Sequence, residues 1–167
     1  MAGRGLLRCE SDCCRPMKSE PTMSKNDRFF LYIHCNNLSE MRRFYTKLIG
    51  LSEIYASDQA VGYHHGSVQF TILSATEDLP VTQKWHRQPG WSGGVVPTPS
   101  WSFEFSDPAF FRDMIERLCG ARVRSFDAVP QWVGYWSFVV KDPAGNTVEL
   151  THAPIEAPGD DEPKWEG

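Results

Sequence analysis

The sequence has no basic excess, no long apolar run and no paired cysteine spacing, and each absence removes a class of function. Its formal charge is −4 and its pI is near 5.7, so the clustered cations of a nucleic-acid binder are missing. No stretch approaches the ~20 apolar residues that a membrane-spanning helix requires, and no membrane partner is expected. Cysteine is sparse: Cys9, Cys13 and Cys14 crowd together while Cys35 and Cys119 stand far apart. That is neither a disulfide framework nor a zinc spacing, and a reducing cytoplasm is the expected location. A Ser-His-Asp spacing, a phosphate loop and a dinucleotide fingerprint are all absent, so covalent catalysis and nucleotide chemistry have no positive support. Arg4, Arg8 and Arg15 lack an apolar segment behind them, which argues against a secretory signal peptide. Small molecules and proteins remain as partners.

What the chain has is enough apolar material for one sizeable core, with 41% hydrophobic residues in 167. Residues 1–26 are polar and without periodicity, and are expected to be a disordered extension. From Asp27 a strand begins, in which Phe29, Leu31 and Ile33 alternate with Phe30, Tyr32 and His34. Asn37 then caps a helix whose stripe is Leu38, Met41, Phe44, Tyr45 and Leu48, and Gly50 suits the position after its end. Arg42 and Arg43 fall on its solvated face. Strands are expected at Leu51 to Ala56, Ala60 to His64 and Ser67 to Leu73, which makes a βαβββ unit over 27–74.

Residues 75–99 hold four prolines and three glycines along with Trp85 and Trp91, and show neither helical nor strand period. They read as a long connection. The pattern then restarts. Trp101, Phe103 and Phe105 alternate with Ser100, Ser102 and Glu104; Asp107 caps a second helix with Pro108 in its first turn; and Gly120 follows its stripe. Asn37 to Gly50 and Asp107 to Gly120 are equally long, so the two openings superpose at one constant offset. Strands expected at Arg122 to Ala128, Tyr135 to Lys141 and Thr147 to Thr151 complete a second βαβββ unit over 100–152. The fold class is therefore α+β. Cys119 is read as a small buried apolar residue, and residues 153–167, with Asp160, Asp161 and Glu162, as an acidic tail.

The last strand pair is joined by Asp142-Pro143-Ala144-Gly145-Asn146, whose proline, glycine and Asx residues each suit a tight turn. Beyond it Val148 and Leu150 face one way and Thr147, Glu149 and Thr151 the other. Together with Asn37-Leu38, Phe44-Tyr45 and Leu48-Ile49-Gly50-Leu51, this run resembles the vicinal oxygen chelate superfamily, the group of glyoxalase I, extradiol dioxygenases and bleomycin-resistance proteins. The resemblance covers Phe29 to Thr151. It implies two βαβββ units forming a cup-shaped mixed sheet with helices outside, a ligand on the concave face, and a homodimer that covers the open edges.

Facing into such a cup would be Phe30, Tyr32 and His34; Gln69 and Thr71; Ser100, Ser102 and Glu104; and Thr147, Glu149 and Thr151. The superfamily's metal-ligand places fall on Phe30, Gln69, Ser100 and Glu149. Phe30 has no donor atom and Ser100 is a poor neutral ligand, so the resemblance implies no metal cofactor. A displaced set of His34, Gln69 and Glu149 around one divalent metal ion is the alternative. Glu149 is either a carboxylate satisfied by neighbouring hydroxyls or a direct ligand contact. The tryptophans Trp85, Trp91, Trp132 and Trp136 suit either packing or stacking on a flat ligand, and the ligand reading is preferred. The leading expectation is a binding protein that sequesters an aromatic or cationic organic molecule on aromatic faces and carboxylates. The alternative is a lyase, isomerase or dioxygenase that uses Glu149 with His34, Gln69 or Tyr32.

Overall fold

The computed structural model describes residues 29–86, 97–154 and 164–165. The expected N-terminal extension, its three cysteines, Trp91 and most of the expected acidic tail lie outside these residues. Among the described residues, eight strands form two four-stranded sheets. One runs β1-β4-β3-β2, from β1 (Phe29–Cys35), β2 (Glu53–Ala56), β3 (Ala60–His65) and β4 (Val68–Ser74). The other runs β5-β8-β7-β6, from β5 (Trp101–Glu104), β6 (Gln131–Trp132), β7 (Trp136–Lys141) and β8 (Thr147–His152). In each sheet the first strand lies parallel to the last and the other pairs are antiparallel. This is the βαβββ repeat that the constant offset indicated.

The helices begin where their caps predict. Asn37 accepts from the Glu40 amide at 3.1 Å to open α1 (Leu38–Arg43), and Asp107 accepts from Ala109 and Phe110 to open α2 (Pro108–Gly120). After Arg43 the first helix widens into a π-helical segment, Phe44–Ile49, which the periodicity did not indicate. It ends at Gly50, where φ of +93° calls for glycine. Residues Arg122 to Ala128 were expected to be a strand and are not. Arg122 sits at φ +53°, and the stretch meets β7 through an isolated bridge between Ser125 and Val140 and backbone bonds at its flanks rather than a continuous ladder. The strand that takes the place is the short β6. Cys119 is exposed rather than buried, because it lies one position off the helical face formed by Phe111, Met114, Ile115 and Leu118.

Both repeats turn their apolar faces into one shared core. Tyr45 is its centre: fully buried, it has its ring within 6.2 Å of Phe44, Tyr63, Phe70 and Phe103, the last of these from the second sheet. Phe70 likewise touches Trp101 and Phe103. Burying each such ring contributes ~2 to 3 kcal/mol. The polar faces of the two sheets are consequently turned away from this core.

On the first sheet that face is partly roofed. The Tyr55 ring lies across Gly62, so near that a β-carbon there would be 2.2 Å from it, and the Tyr55 hydroxyl bonds Thr71 Oγ1 at 2.9 Å. Gly62→Ala is therefore expected to swing Tyr55 outward and cost about 1 to 2 kcal/mol, from the lost bond and packing. Urea denaturation of the variant checks this, and an unchanged midpoint would refute it.

Candidate functional site

The turn between β7 and β8 fixes the register of the site. Asp142 accepts from the Asn146 amide and side chain, both at 2.9 Å, and its carbonyl accepts from the Gly145 amide at 2.9 Å. Gly145 has φ of +83°, and a β-carbon there would lie 2.5 Å from the Thr82 carbonyl, so the connecting segment passes directly over the turn. From this turn β8 pairs Glu149 with Val139 on one side and Ser102 on the other.

Glu149 is 5% exposed and ringed by hydroxyls. Ser102 donates to Oε2 and Ser137 donates to Oε1 at 2.7 Å. The Tyr135 hydroxyl lies 3.5 Å from Oε1, the weakest of the three contacts. Burial, and next the Glu149 charge, raise the Tyr135 pKa, which keeps that phenol a neutral donor. Above the carboxylate is a depression of about 310 Å3, lined by Ser102, Glu104, Tyr135, Glu149, Thr151 and Ala153. It presents two carboxylates and no cation. An ionised carboxylate has about four acceptor sites, so Glu149 keeps capacity for one more donor while Glu104 stands exposed at the rim.

Such a donor set does not fit a catalytic metal ion. Among the described residues no group of three or more His, Cys, Asp or Glu side chains converges. The nearest neighbours of Glu149 are hydroxyls with their hydrogens turned toward it, whereas a Lewis-acid site uses about three strong ligands. The displaced set is not assembled in one chain either. His34 is registered beside Leu73 and Gln69 beside Phe30 on the first sheet, so the two are ~13 Å apart along the strands, and neither lines the Glu149 depression.

The expected site residues thus divide between two surfaces. Ser102, Glu104 and Glu149 come together. Phe30, Tyr32, His34 and Gln69 lie on the first sheet, where Phe30 is 48% and Tyr32 56% exposed and their rings stack at 6.4 Å. Ser100, mapped beside Glu149 by the resemblance, is instead at the level of Thr147, to whose carbonyl its amide donates at 2.7 Å. The parallel register gives that place to Ser102. Sequence reading missed Tyr135 and Ser137. Extending the alternation along the expected strand from Tyr135 to Lys141 would have found both, since Tyr135 and Ser137 are two residues apart and so fall on one face.

Of Trp85, Trp91, Trp132 and Trp136, Trp91 lies outside the described residues, and the other three are half-buried and in contact with neighbouring side chains. Trp85 packs edge-on to Phe126 and beneath the cations of Arg124 and Lys141, and Trp132 and Trp136 contact each other at 5.4 Å.

No family model matches the sequence, and no curated protein does. Solved structures match its fold. A putative glyoxalase from Bacillus halodurans superposes with a TM-score of 0.55 at 16% identity, over 75% of this chain and 94% of that one. The fosfomycin resistance protein of Mesorhizobium loti gives 0.52 at 16% identity, over 80% and 96%. A glyoxalase/bleomycin resistance protein/dioxygenase from Alicyclobacillus acidocaldarius gives 0.50 at 18% identity, over 79% and 95%.

Proposed function

From the vicinal oxygen chelate fold that this chain has, we propose that it is a small-molecule-binding protein of the sequestering type, without a resident metal, that takes an aromatic or cationic organic ligand. The observation that carries this reading is the Glu149 carboxylate, buried, held by hydroxyls and facing a depression that Glu104 makes doubly acidic. A cation entering it gains a charge-assisted bond to Glu149 without having to displace a competing lysine or arginine. One fold hosts many activities, and the site rather than the fold carries the assignment.

Stacking comes from the other sheet. Phe30 and Tyr32 do not line the Glu149 depression, so for a ligand that uses both surfaces we propose that a second copy supplies the aromatic one, and a homodimer is part of the proposal. We place the protein in the cytoplasm, where Cys35 and Cys119 stay free thiols. No helix among the described residues is long and apolar enough to cross a membrane.

The test is a thermal-shift screen of planar aromatic amines against aromatic carboxylates of the same size, with mass analysis of every recovered hit. The amines are expected to raise the melting temperature with their mass unchanged. Glu149→Gln should weaken them about tenfold, and Phe30→Ala or Tyr32→Ala by about 1 to 2 kcal/mol. Light scattering at a dimer mass accompanies this outcome. Preferential stabilisation by the carboxylates would overturn the reading, and so would turnover that Glu149→Gln abolishes without loss of affinity; the latter makes the chain an enzyme that uses Glu149 as its acid or base.

A further inference from the structure

A second cavity, also of about 310 Å3, opens between the first helix and the second repeat, and Glu149 has no part in it. Three cations line it: Arg43 from α1, Arg124 from the segment after α2, and Lys141 from the end of β7. Lys141 is only 4% exposed, yet its ammonium donates to two neutral oxygens, the Gly145 carbonyl at 2.8 Å and Thr147 Oγ1 at 3.0 Å. Arg124 stands close by. Its guanidinium lies 5.5 Å from the Trp85 ring centre and the Lys141 ammonium 5.1 Å from the same ring. Burial lowers the Lys141 pKa, the Asp142 charge opposes this, and the proximity of Arg124 adds a smaller lowering.

No carboxylate of the described residues holds these charges directly. Among the described residues the one ion pair is Arg42 with Glu53, so none of the three has a carboxylate at bonding distance. Asp142 lines the same cavity, but Tyr45 and Asn146 occupy its oxygens and burial raises its pKa, which weakens its hold as a counter-ion. Glu40 is the remaining acid and is exposed. Arg43 has no ordinary capping duty either, since the helix continues past it into the π-helical segment. A buried ammonium whose hydrogen bonds all go to neutral oxygens is costly, and a bound dianion would offset that cost.

We propose that this crevice binds a small organic phosphate monoester, with Arg43, Arg124 and Lys141 on the phosphate and Phe44, Leu48 and Val123 against its organic body. The guanidinium forks suit paired phosphate oxygens and the lysine acts as a point charge. The volume is at the lower end of that of organic ligand sites, larger than a bare phosphate needs. The site is separate from the Glu149 depression, and the proposal does not rest on the reading given for it.

Calorimetric titration with phenyl phosphate, inorganic phosphate and benzoate at matched ionic strength tests this. Phenyl phosphate should bind more tightly than inorganic phosphate, and benzoate no better than chloride. Arg43→Gln and Arg124→Gln, both at exposed positions, should each weaken phenyl phosphate about tenfold, while Glu40→Gln should strengthen it. Undiminished affinity in the double arginine variant would overturn the assignment, as would benzoate binding equal to phenyl phosphate or no heat with either phosphate. Circular dichroism of each variant confirms that it is folded, so that lost binding is read as loss of the site.

Discussion

Replacing Asp142 by alanine is expected to lower the unfolding free energy by about 3 kcal/mol. Asp142 is 2% exposed and joins the two repeats: the Tyr45 hydroxyl, from the first, donates to its Oδ2 at 2.9 Å, and the Asn146 side chain donates to the same oxygen. Alanine would strand the Tyr45 hydroxyl at the centre of the core and release the turn that sets the register of β8. Asp142→Asn keeps an acceptor oxygen and should cost about 1 kcal/mol, and a double-mutant cycle with Tyr45→Phe should reveal the coupling. The pH dependence distinguishes charge from geometry. Burial raises the Asp142 pKa against the opposing hydrogen bonds of Asn146 and Tyr45. A carboxyl whose folded pKa is raised contributes stability fully present below its ordinary value of 3.8 and lost as pH rises through the folded pKa. The advantage of wild type over Asp142→Asn should therefore grow on acidification. Glu53 titrates oppositely: hydrogen bonds from Arg42 and then Thr46 lower it to about 2, so its contribution, present above 4.5, is lost as pH falls toward that value. Comparing wild type with Asp142→Asn cancels that background, and a flat difference across pH would show that the carboxyl acts only through its shape.

Trp165→Ala is expected to cost about 2 kcal/mol, although its neighbourhood in the sequence reads as a solvated acidic tail. The indole packs edge-on to Phe111 at 5.8 Å and to Trp136 at 5.2 Å, against the same core that the helices cover. Ending the chain after residue 163 should have the same effect as the point variant, since Lys164 is exposed and adds little. Guanidinium denaturation followed by Trp136 fluorescence reads both the stability and the loss of the contact. A midpoint unchanged by either alteration would return this end of the chain to the role of a solvated tail.

The fold was legible because its signals are local and repeated. Asn37 and Asp107 cap their helices as read, Gly50 closes the first, and the alternation on β1, β4, β5 and β8 separates the residues that join the apolar core from those of the opposite face. Arg122 to Ala128 misled because a stretch with β-forming residues need not pair when its entry residue turns left-handed. The site was half legible. Glu149 and its neighbours Ser102 and Glu104 follow from alternation, but which serine lies beside Glu149 depends on strand register, and register is a long-range property that a motif at each end does not fix. Trp85 and Trp165 were unreadable for a related reason: a bulky aromatic in an aperiodic segment says that something will be covered, not what.

Tyr45 touches rings from both sheets, and this makes the duplicated architecture indivisible in thermodynamic terms. A tandem repeat whose units keep separate cores melts in steps, whereas here opening either half removes the apolar partner of the other. Heat absorption should therefore show one transition, with calorimetric and van't Hoff enthalpies equal. Substitutions at the junction should likewise couple across the two repeats, while those on the outward faces, one carrying the Phe30–Tyr32 ring pair and the other the Glu149 depression, should not.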